Sequence, residues 1–228
     1  MLKFQIGNAK LDVIIYTFSL PAGTSCPFAV ECKTTADKAW GTITDGANQK
    51  YRCYAASDEA RSPQVRAARH WNFELLRGET EEEMFHRIQA SIPKKAKIVR
   101  IHVSGDFFNQ RYFNAWARVA RSNPSILFYA YTKSLKYWID GDETPSNLKL
   151  TASWDNSNSF VIEMKNLKYA RVVFSEEEAA KLGLEIDHDD SHAYGGDESF
   201  ALLIHGTQPS GSMAAKAKNK LVTAGIKH

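Results

Sequence analysis

The stretch RIHVSGDFFNQRYFNAWARVARSNPSILFYAYTKS, residues 100–134, predicts a strand, a polar turn, a helix and a second strand, in that order. Its first apolar run stops at Gly105, which is typical of a buried strand that ends in a turn. Four apolar residues follow at helical spacing: Phe113, Trp116, Ala117 and Ala120. Asn123-Pro124 predicts the end of that helix, and SILFYAYTKS predicts the next strand. Two strands joined through a helix are expected to be parallel, with a right-handed crossover.

The same alternation continues on both sides of this unit. Strands are predicted over residues 11–20 and in the segments PSNLKLTASWD, ARVVF and SFALLIHG. Helices are predicted over residues 61–77, 81–92 and 212–222, and Ser175 with Glu178 predicts the capping box of a further short helix. The predicted fold class is therefore α/β, either a mostly parallel sheet flanked by helices or a partial (β/α) barrel. We expect a single α/β domain over residues 1–228, with a cysteine-bearing loop at 21–57.

Apolar residues predict which side of each helix faces the core. In the helix over residues 61–77 these are Val65, Ala68, Trp71 and Leu75. In the helix over residues 81–92 they are Phe85, Ile88 and Ile92. In the last helix they are Met213, Ala217 and Leu221.

Composition places the chain among ordinary globular proteins. Hydrophobic residues make up 43% of the sequence and charged residues 24%, with no bias towards disorder or a coiled coil. Lys10 and Asp12 interrupt the apolar N-terminal region well before the length of a membrane span, so neither a signal peptide nor an anchor is predicted. The net charge of +3 is too mild to indicate a nucleic-acid-binding protein. A module that binds nucleic acid is kept as a minor alternative, with three candidate side chains: Arg61, Arg66 and Arg69.

All three cysteines of the chain lie in one N-terminal stretch, at Cys26, Cys32 and Cys53. An odd number of cysteines without a secretion signal argues against a disulfide framework and predicts a reducing, cytoplasmic location. The C-x5-C-x20-C spacing matches no standard zinc finger, in which cysteines occur as closely spaced pairs. Because thiolates select iron–sulfur clusters or zinc, three of them in one loop region predict a metal centre. Three unrelated buried thiols are the alternative.

Two kinds of metal centre agree with three thiolates. In a 4Fe-4S cluster they would hold three irons and leave the fourth open, and loss of that iron would give a 3Fe-4S centre. Such a protein would act in electron transfer or in chemistry at the open iron, with an unknown redox partner or small-molecule substrate. A structural zinc ion in an interaction module would need a fourth ligand, for which the sequence offers four candidates: His70, His102, His192 and His205. His102 is flanked by apolar residues, which favours a core position over a ligand role.

Polar turns follow both strands of the central unit. The two turns are Ser104-Gly105-Asp106 and Thr132-Lys133-Ser134. Cys26 also comes directly after a predicted strand, so we expect it and both turns to lie at the same rim of the sheet. A carboxylate preceded by a glycine suits the binding of an amine or a water, which makes Asp106 a candidate ligand-binding residue. Capping of the following helix is the alternative for Asp106. Lys133 is expected to meet a carboxylate or solvent.

Two further polar motifs lie near the C-terminus. EIDHDDSH, residues 185–192, lacks the glycine and the terminal glutamate of an EF-hand loop. HAYGGDESF, residues 192–200, lacks the lysine of a phosphate-binding loop. We interpret the first as a solvated acidic loop and the second as a turn.

Several of these motifs together resemble the phage gene product 88 family. They are LPAGTSCP, RCYAAS, VRAARHWN, the whole stretch over residues 100–134 and the terminal IKH. The resemblance is specific from about residue 18 to residue 134 and looser beyond it. That family is in turn similar to radical SAM proteins, which have a cysteine-rich loop after the first strand of a partial barrel, a glycine-acidic turn after the second, and a 4Fe-4S cluster.

This resemblance implies a radical SAM-like partial (β/α) barrel and, for a phage-encoded protein, a location in the cytoplasm of the host cell. Cys26, Cys32 and Cys53 would bind the cluster. S-adenosylmethionine would lie beside the open iron, against four residues: Ser104, Gly105, Asp106 and Thr132. The cysteine spacing is wider than the C-x3-C-x2-C of radical SAM proteins, and Asp106 stands where they usually have a glutamate.

Overall fold

A parallel β-sheet forms the centre of the computed structural model, which describes residues 1–7, 15–141 and 143–226. The strands in chain order are β1 (Gln5–Ile6), β2 (Ile15–Phe18), β3 (Thr34–Ala36), β4 (Ile43–Asp45), β5 (Ile98–Ile101), β6 (Leu127–Thr132), β7 (Leu148–Ser153), β8 (Tyr169–Val173), β9 (Glu185–Ile186) and β10 (Phe200–Leu203). The helices are α1 (Tyr54–Arg61), α2 (Pro63–Leu76), α3 (Glu81–Ser91), α4 (Gln110–Ser122), α5 (Leu135–Ile139), α6 (Ser159–Met164), α7 (Glu176–Leu182), α8 (Ser191–Gly195) and α9 (Met213–Thr223).

Eight of these strands form one sheet in the order β1-β2-β5-β6-β7-β8-β10-β9. Only β1 is antiparallel to its neighbour, and every pair from β2 to β9 is parallel. From β2 to β8, the order of the strands in this sheet is the same as their order along the chain. β3 and β4 form a separate antiparallel hairpin within the cysteine-bearing loop.

The helices that connect the strands from β2 to β8 pack on one face of the sheet. There Phe18, Ile101 and Phe128 lie in the main core with Trp116 of α4. The pairing of β6 with β7, of β7 with β8 and of β8 with β10 puts the side chains of Val173 and Leu203 on this same face. There they pack with α7 and α9. The other face carries a smaller core built around Ile15, Tyr129 and Phe200, and the short helix α8 packs on it through Ala193. A right-handed crossover repeated in one direction places successive helices on the same face, which is the arrangement found here.

The structure confirms the mostly parallel α/β sheet and the central unit predicted from residues 100–134. Helix α4 begins after Asn109, whose side chain accepts a hydrogen bond from the backbone N–H of Tyr112 at 2.8 Å. Strands β7 and β10 lie within the segments predicted for them, and β8 begins one residue before the predicted segment ARVVF. The predicted first strand is shorter than expected, since β2 spans Ile15–Phe18 and residues 11–14 of that prediction lie outside the described residues.

The helix predicted over residues 61–77 was wrong in its start and in its buried face. α1 ends at Arg61, and α2 begins at Pro63 after Ser62, whose hydroxyl accepts a hydrogen bond from the N–H of Val65. Trp71, expected in the core, is 48% exposed. The buried residues of α2 are mainly polar: Arg66, Arg69, His70, Asn72 and Leu76. They are buried because most of them hydrogen-bond to the loops beneath the helix, which apolar periodicity cannot reveal.

Two smaller corrections concern the other predicted helix faces. Met84 and Ile88 are the fully buried apolar residues of α3, whereas Phe85 and Ile92 are only partly buried. Met213, expected inward, is 76% exposed, and the buried residues of α9 are Ala214 and Leu221. Among the described residues, no helix combines the length and apolar character needed to cross a membrane.

Candidate functional site

A cavity of about 400 Å³ opens at the edge of the sheet where the parallel strands end. Its wall includes residues that follow β5, β6 and β10, and the cysteine-bearing loop. Cys26, Cys32 and Cys53 all line it, together with Ser104, Gly105, Asp106 and Thr132. The structure thus places the three cysteines and the four candidate cofactor-binding residues in the wall of one cavity, at the end of the sheet where the sequence analysis expects them.

Hydrogen bonds within the loop hold the cysteine segments in place. The Lys33 Nζ donates to the carbonyl oxygens of Gly23 at 2.7 Å and of Cys26 at 3.0 Å. The Thr34 hydroxyl accepts a hydrogen bond from the N–H of Cys53 at 3.3 Å. The start of the β3–β4 hairpin therefore fixes the position of the Cys26 segment relative to Cys53.

Glu59 of α1 is a buried junction beneath this loop, with a fully inaccessible side chain. Its Oε1 accepts hydrogen bonds from the N–H of Ala22 at 2.8 Å, from Arg69 Nη1 at 2.9 Å and from the Ser104 hydroxyl at 3.2 Å. A charge-assisted hydrogen bond to a buried carboxylate is among the stronger polar contacts in proteins. One side chain thus connects the cysteine-bearing loop, α2 and the turn after β5. Nothing in the sequence pattern indicated this role for Glu59.

The three thiols share a poorly solvated environment. Burial, followed by the charge of Asp106 and the other two thiols, raises the pKa of Cys26 well above its usual range. Burial also raises the pKa of Cys32, and burial with the neighbouring Cys32 thiol raises the pKa of Cys53 to about 12. Cys26 therefore lies near both other thiols, and Cys53 lies near Cys32. A bound cation would lower these pKa values, since metal binding deprotonates a coordinating thiol.

The described residues do not include three or more His, Cys, Asp or Glu side chains that converge on a single metal ion. Of the four histidines considered as a fourth zinc ligand, His102 and His205 line the cavity, whereas His70 and His192 do not. His102 is 3% exposed, and its Nε2 lies 2.9 Å from the Tyr112 hydroxyl, within the core and as expected from the sequence.

Asp106 lies in a hydrogen-bonded turn, and the alternative that it caps the following helix is wrong. Asp106 does not cap α4, because Asn109 does. Its Oδ1 accepts hydrogen bonds from the Thr132 hydroxyl at 2.6 Å and from the N–H of Phe107 at 2.7 Å, and its Oδ2 accepts one from the N–H of Lys133 at 2.8 Å. Burial nevertheless raises the pKa of Asp106. Asp106 therefore fixes the end of β6 against the end of β5 at the wall of the cavity.

Gly105 allows the turn to pack closely against the cysteine-bearing loop, so its missing side chain does not leave free space for a ligand. Its φ of +89° is in the left-handed region, and a Cβ there would lie 2.6 Å from both Leu20 Cβ and Ser25 Oγ. The ammonium group of Lys133 donates its hydrogen bonds to Ser153 and Trp154 rather than to a carboxylate among the described residues. Its Nζ donates to the Ser153 hydroxyl at 2.7 Å and to the carbonyl of Trp154 at 3.3 Å.

The acidic segment after β9 was wrongly interpreted as a solvated loop. The Asp190 carboxylate accepts hydrogen bonds from Arg100 Nη1 at 2.5 Å, from the Tyr129 hydroxyl at 2.9 Å and from the Tyr131 hydroxyl at 3.1 Å. Asp187, in the same segment, has a fully inaccessible side chain and lines the cavity. The HAYGGDESF motif likewise contains most of α8 rather than only a turn. Arg100, an arginine inside an apolar strand, was the one sequence signal of this buried network.

Two of the three arginines considered for nucleic-acid binding are buried. Arg66 Nη1 donates to the Glu59 carbonyl at 2.5 Å, and its Nε donates to the Lys38 carbonyl at 3.1 Å. Arg69 is bound to Glu59, as described above. These contacts keep both guanidinium groups from a solvent-facing surface and weaken the nucleic-acid alternative.

Comparison with known proteins identifies relatives in bacteriophages. The family model for gene product 88 matches residues 2–224. The gene 88 protein of Mycobacterium phage D29 is 34% identical over 143 residues, which cover 56% of this chain and 59% of the relative. The gene 88 protein of Mycobacterium phage L5 is 34% identical over 90 residues, which cover 36% of this chain and 38% of the relative. The chain thus matches less than two thirds of the length of either relative, and no solved structure matches it.

Proposed function

The chain belongs to the gene product 88 family, and we propose that it is an iron–sulfur protein whose Cys26, Cys32 and Cys53 bind one 4Fe-4S cluster. The observation that carries this proposal is the position of all three thiols of the chain on the wall of one cavity. They come from loop positions up to 27 residues apart, yet the thiols of Cys32 and Cys53 both contribute to the raised pKa of Cys26. Loss of one iron would give the 3Fe-4S form of the same site.

The donor set suits a cluster better than a single ion. A zinc ion needs its ligands to converge on one point, whereas each cysteine of a cubane binds a different iron. Thiols that share a cavity without converging agree with the second arrangement. Burial also agrees, because removing water from around the sulfurs is one of the ways in which proteins set the potential of a cluster.

The topology supports a radical SAM-like partial barrel as the scaffold. Strands added in sequential order, with their connecting helices on one face, are the pattern of a (β/α) barrel wall. In such folds the site lies at the carboxyl ends of the strands, where the cavity lies here. The polar contacts across the opposite face, from Arg100 and Tyr131 to Asp190, would fill the inside of that barrel.

The cavity favours chemistry on a small molecule over simple electron transfer. Its volume of about 400 Å³ is within the range of small-molecule sites, and an electron carrier does not require such a space. When bound, a 4Fe-4S cluster with three cysteine ligands supplies one-electron chemistry and one open coordination position. We therefore propose S-adenosylmethionine as the second ligand of the cavity, beside Ser104, Gly105, Asp106 and Thr132.

The chain's own residues would position these groups. Asp106 holds the ends of β5 and β6 together through Thr132 and Lys133, which sets the shape of the wall. Glu59 fixes the turn at Ser104 to the loop that carries Cys26.

Electron paramagnetic resonance of reduced protein, purified without oxygen, tests both parts of the proposal. We expect a cluster signal that shifts when S-adenosylmethionine is added. Cys32→Ala should abolish the 4Fe-4S signal and lower the melting temperature, because the binding energy of a structural metal centre is largely folding energy. Ala47→Ser, at an exposed turn of the same loop and outside the cavity wall, is the control. A signal that is indifferent to S-adenosylmethionine would leave an electron-transfer protein, and a colourless zinc protein would overturn the proposal.

A further inference from the structure

Asp187 lines the cavity with a buried carboxylate, one oxygen of which lacks a partner among the described residues. Asp187 follows β9, and its side chain is fully inaccessible to solvent. Its Oδ1 accepts a hydrogen bond from the N–H of Asp189 at 3.2 Å, and the same Oδ1 lies 3.4 Å from Nδ1 of His192. Its Oδ2 is buried and accepts no hydrogen bond from the part of the chain that the structure describes. Because a buried, unsatisfied carboxylate oxygen costs free energy, this atom points to a donor that the described residues do not supply.

The other charged groups of the cavity wall are already paired. Arg100 binds Asp190, Arg52 binds Asp45 at 2.5 Å, and Lys133 donates to Ser153 and Trp154. Within the described part of the chain, no lysine or arginine that lines the cavity is left without an acceptor. The wall also holds more carboxylates than cations: Asp58, Asp106, Asp187, Asp189 and Asp190 against Arg52, Arg100 and Lys133. This balance favours a cationic ligand over an anionic one.

Apolar side chains lie in the same cavity as Asp187. Val172, Leu202 and Ile204 line it and provide a surface for the hydrocarbon part of a ligand. A buried carboxylate beside apolar residues is suited to a primary amine, whose ammonium group donates to the carboxylate while its chain is desolvated. A hydroxyl group could donate as well, but it would leave the carboxylate charge uncompensated.

We infer that Asp187 binds the ammonium group of a primary-amine substrate in the cavity that the three cysteines line. This inference rests on the proposed function only in taking the cavity as the substrate site. Burial raises the pKa of Asp187, and a bound cation would favour the ionised carboxylate. The substrate class is thus an aliphatic or partly apolar amine.

Ligand-observed NMR titrations on protein purified without oxygen test this inference. The probes are n-hexylamine as its ammonium ion, n-hexanol and hexanoate, which share one chain length and differ in the charge of the head group. We expect the ammonium ion to bind most tightly, and Asp187→Asn to weaken it by about tenfold or more, as for other buried charge pairs. Asp197→Asn removes the same charge at an exposed position outside the cavity and should leave binding within about twofold.

A second variant covers the case in which Asp187→Asn fails to fold. Leu202→Phe reduces the apolar part of the cavity without a change of charge, and it should also weaken n-hexylammonium binding. Equal binding of hexanol and hexylammonium, or unchanged binding in both variants, would overturn the inference. Iron and sulfide content is measured on the same samples, so that the two proposals can fail independently. If the amine binds at Asp187 in a protein without iron, the proposed cluster is refuted and the amine site stands.

Discussion

The carboxylate of Glu59 accepts a hydrogen bond from the backbone N–H of Ala22 at 2.8 Å. Glu59 lies in the helix that begins directly after Cys53, and Ala22 lies in the loop that leads to Cys26. The same oxygen accepts a hydrogen bond from the Ser104 hydroxyl. One buried side chain therefore sets the relative positions of two cysteine segments and of the turn that lines the cavity with them.

Glu59→Gln should destabilise the fold strongly. The variant keeps the shape of the side chain but leaves Arg69, with its side chain 7% exposed, as a buried charge without its counterion. Removal of one partner from a buried ion pair costs about 3 to 5 kcal/mol. Urea denaturation of both proteins measures this difference in the free energy of unfolding.

Glu74→Gln is the matched control for that experiment. Glu74 forms ion pairs with Lys38 and Arg77 in which each side chain is at least 40% exposed, so its loss should change the free energy of unfolding by less than about 0.5 kcal/mol. Similar losses in the two variants would show that Glu59 does not act as a buried junction.

Gly105→Ala should disturb the cysteine-bearing loop. A Cβ at this position would overlap Leu20 and Ser25, and the residue has a φ of +89° that side chains rarely adopt. We expect a loss of more than about 2 kcal/mol in the free energy of unfolding. Gly196→Ala is the control, because no atom lies within 4 Å of the added Cβ and its φ is −143°. A Gly105→Ala protein as stable as the control would contradict the packing described for this turn.

His102 should make the fold sensitive to acid. Burial lowers its pKa from 6.5 to about 3, so the unfolded chain binds a proton at a pH where the folded protein does not. The stability that depends on neutral His102 is fully present above pH 6.5 and is lost as the pH falls towards 3. The loss from this residue between pH 6.5 and about pH 5 is roughly 1.5 kcal/mol.

His102→Asn isolates that contribution. Asparagine tolerates the left-handed backbone that His102 adopts, with a φ of 69°, and it does not titrate. Free energies of unfolding at the two pH values should therefore differ less in the variant than in the unaltered protein. An identical pH dependence in both proteins would exclude His102 as the source.

Much of the fold could be predicted because local patterns determine it. The strand, turn, helix and strand between residues 100 and 134 follow directly from apolar periodicity and from Pro124. The three cysteines and the two polar turns could be placed at one rim because the carboxyl ends of parallel strands meet there. These predictions needed no knowledge of which distant residues touch.

The parts that escaped prediction depend on contacts between residues far apart in the chain. Asp190 is held against the sheet because Arg100 and Tyr129, which are 90 and 61 residues away, donate hydrogen bonds to it. The polar side of α2 is buried because Arg69 meets Glu59 across the junction between two helices. A charged residue looks solvated in a sequence until its partner is known, so such sites are systematically misread as surface.

The iron and acid-labile sulfide content of protein purified without oxygen tests the central claim most directly. A 4Fe-4S cluster on Cys26, Cys32 and Cys53 predicts about four irons and four sulfides per chain, and almost none when all three cysteines are replaced by serine. A protein that contains no iron, or one whose iron content is unchanged in that triple variant, would contradict the account.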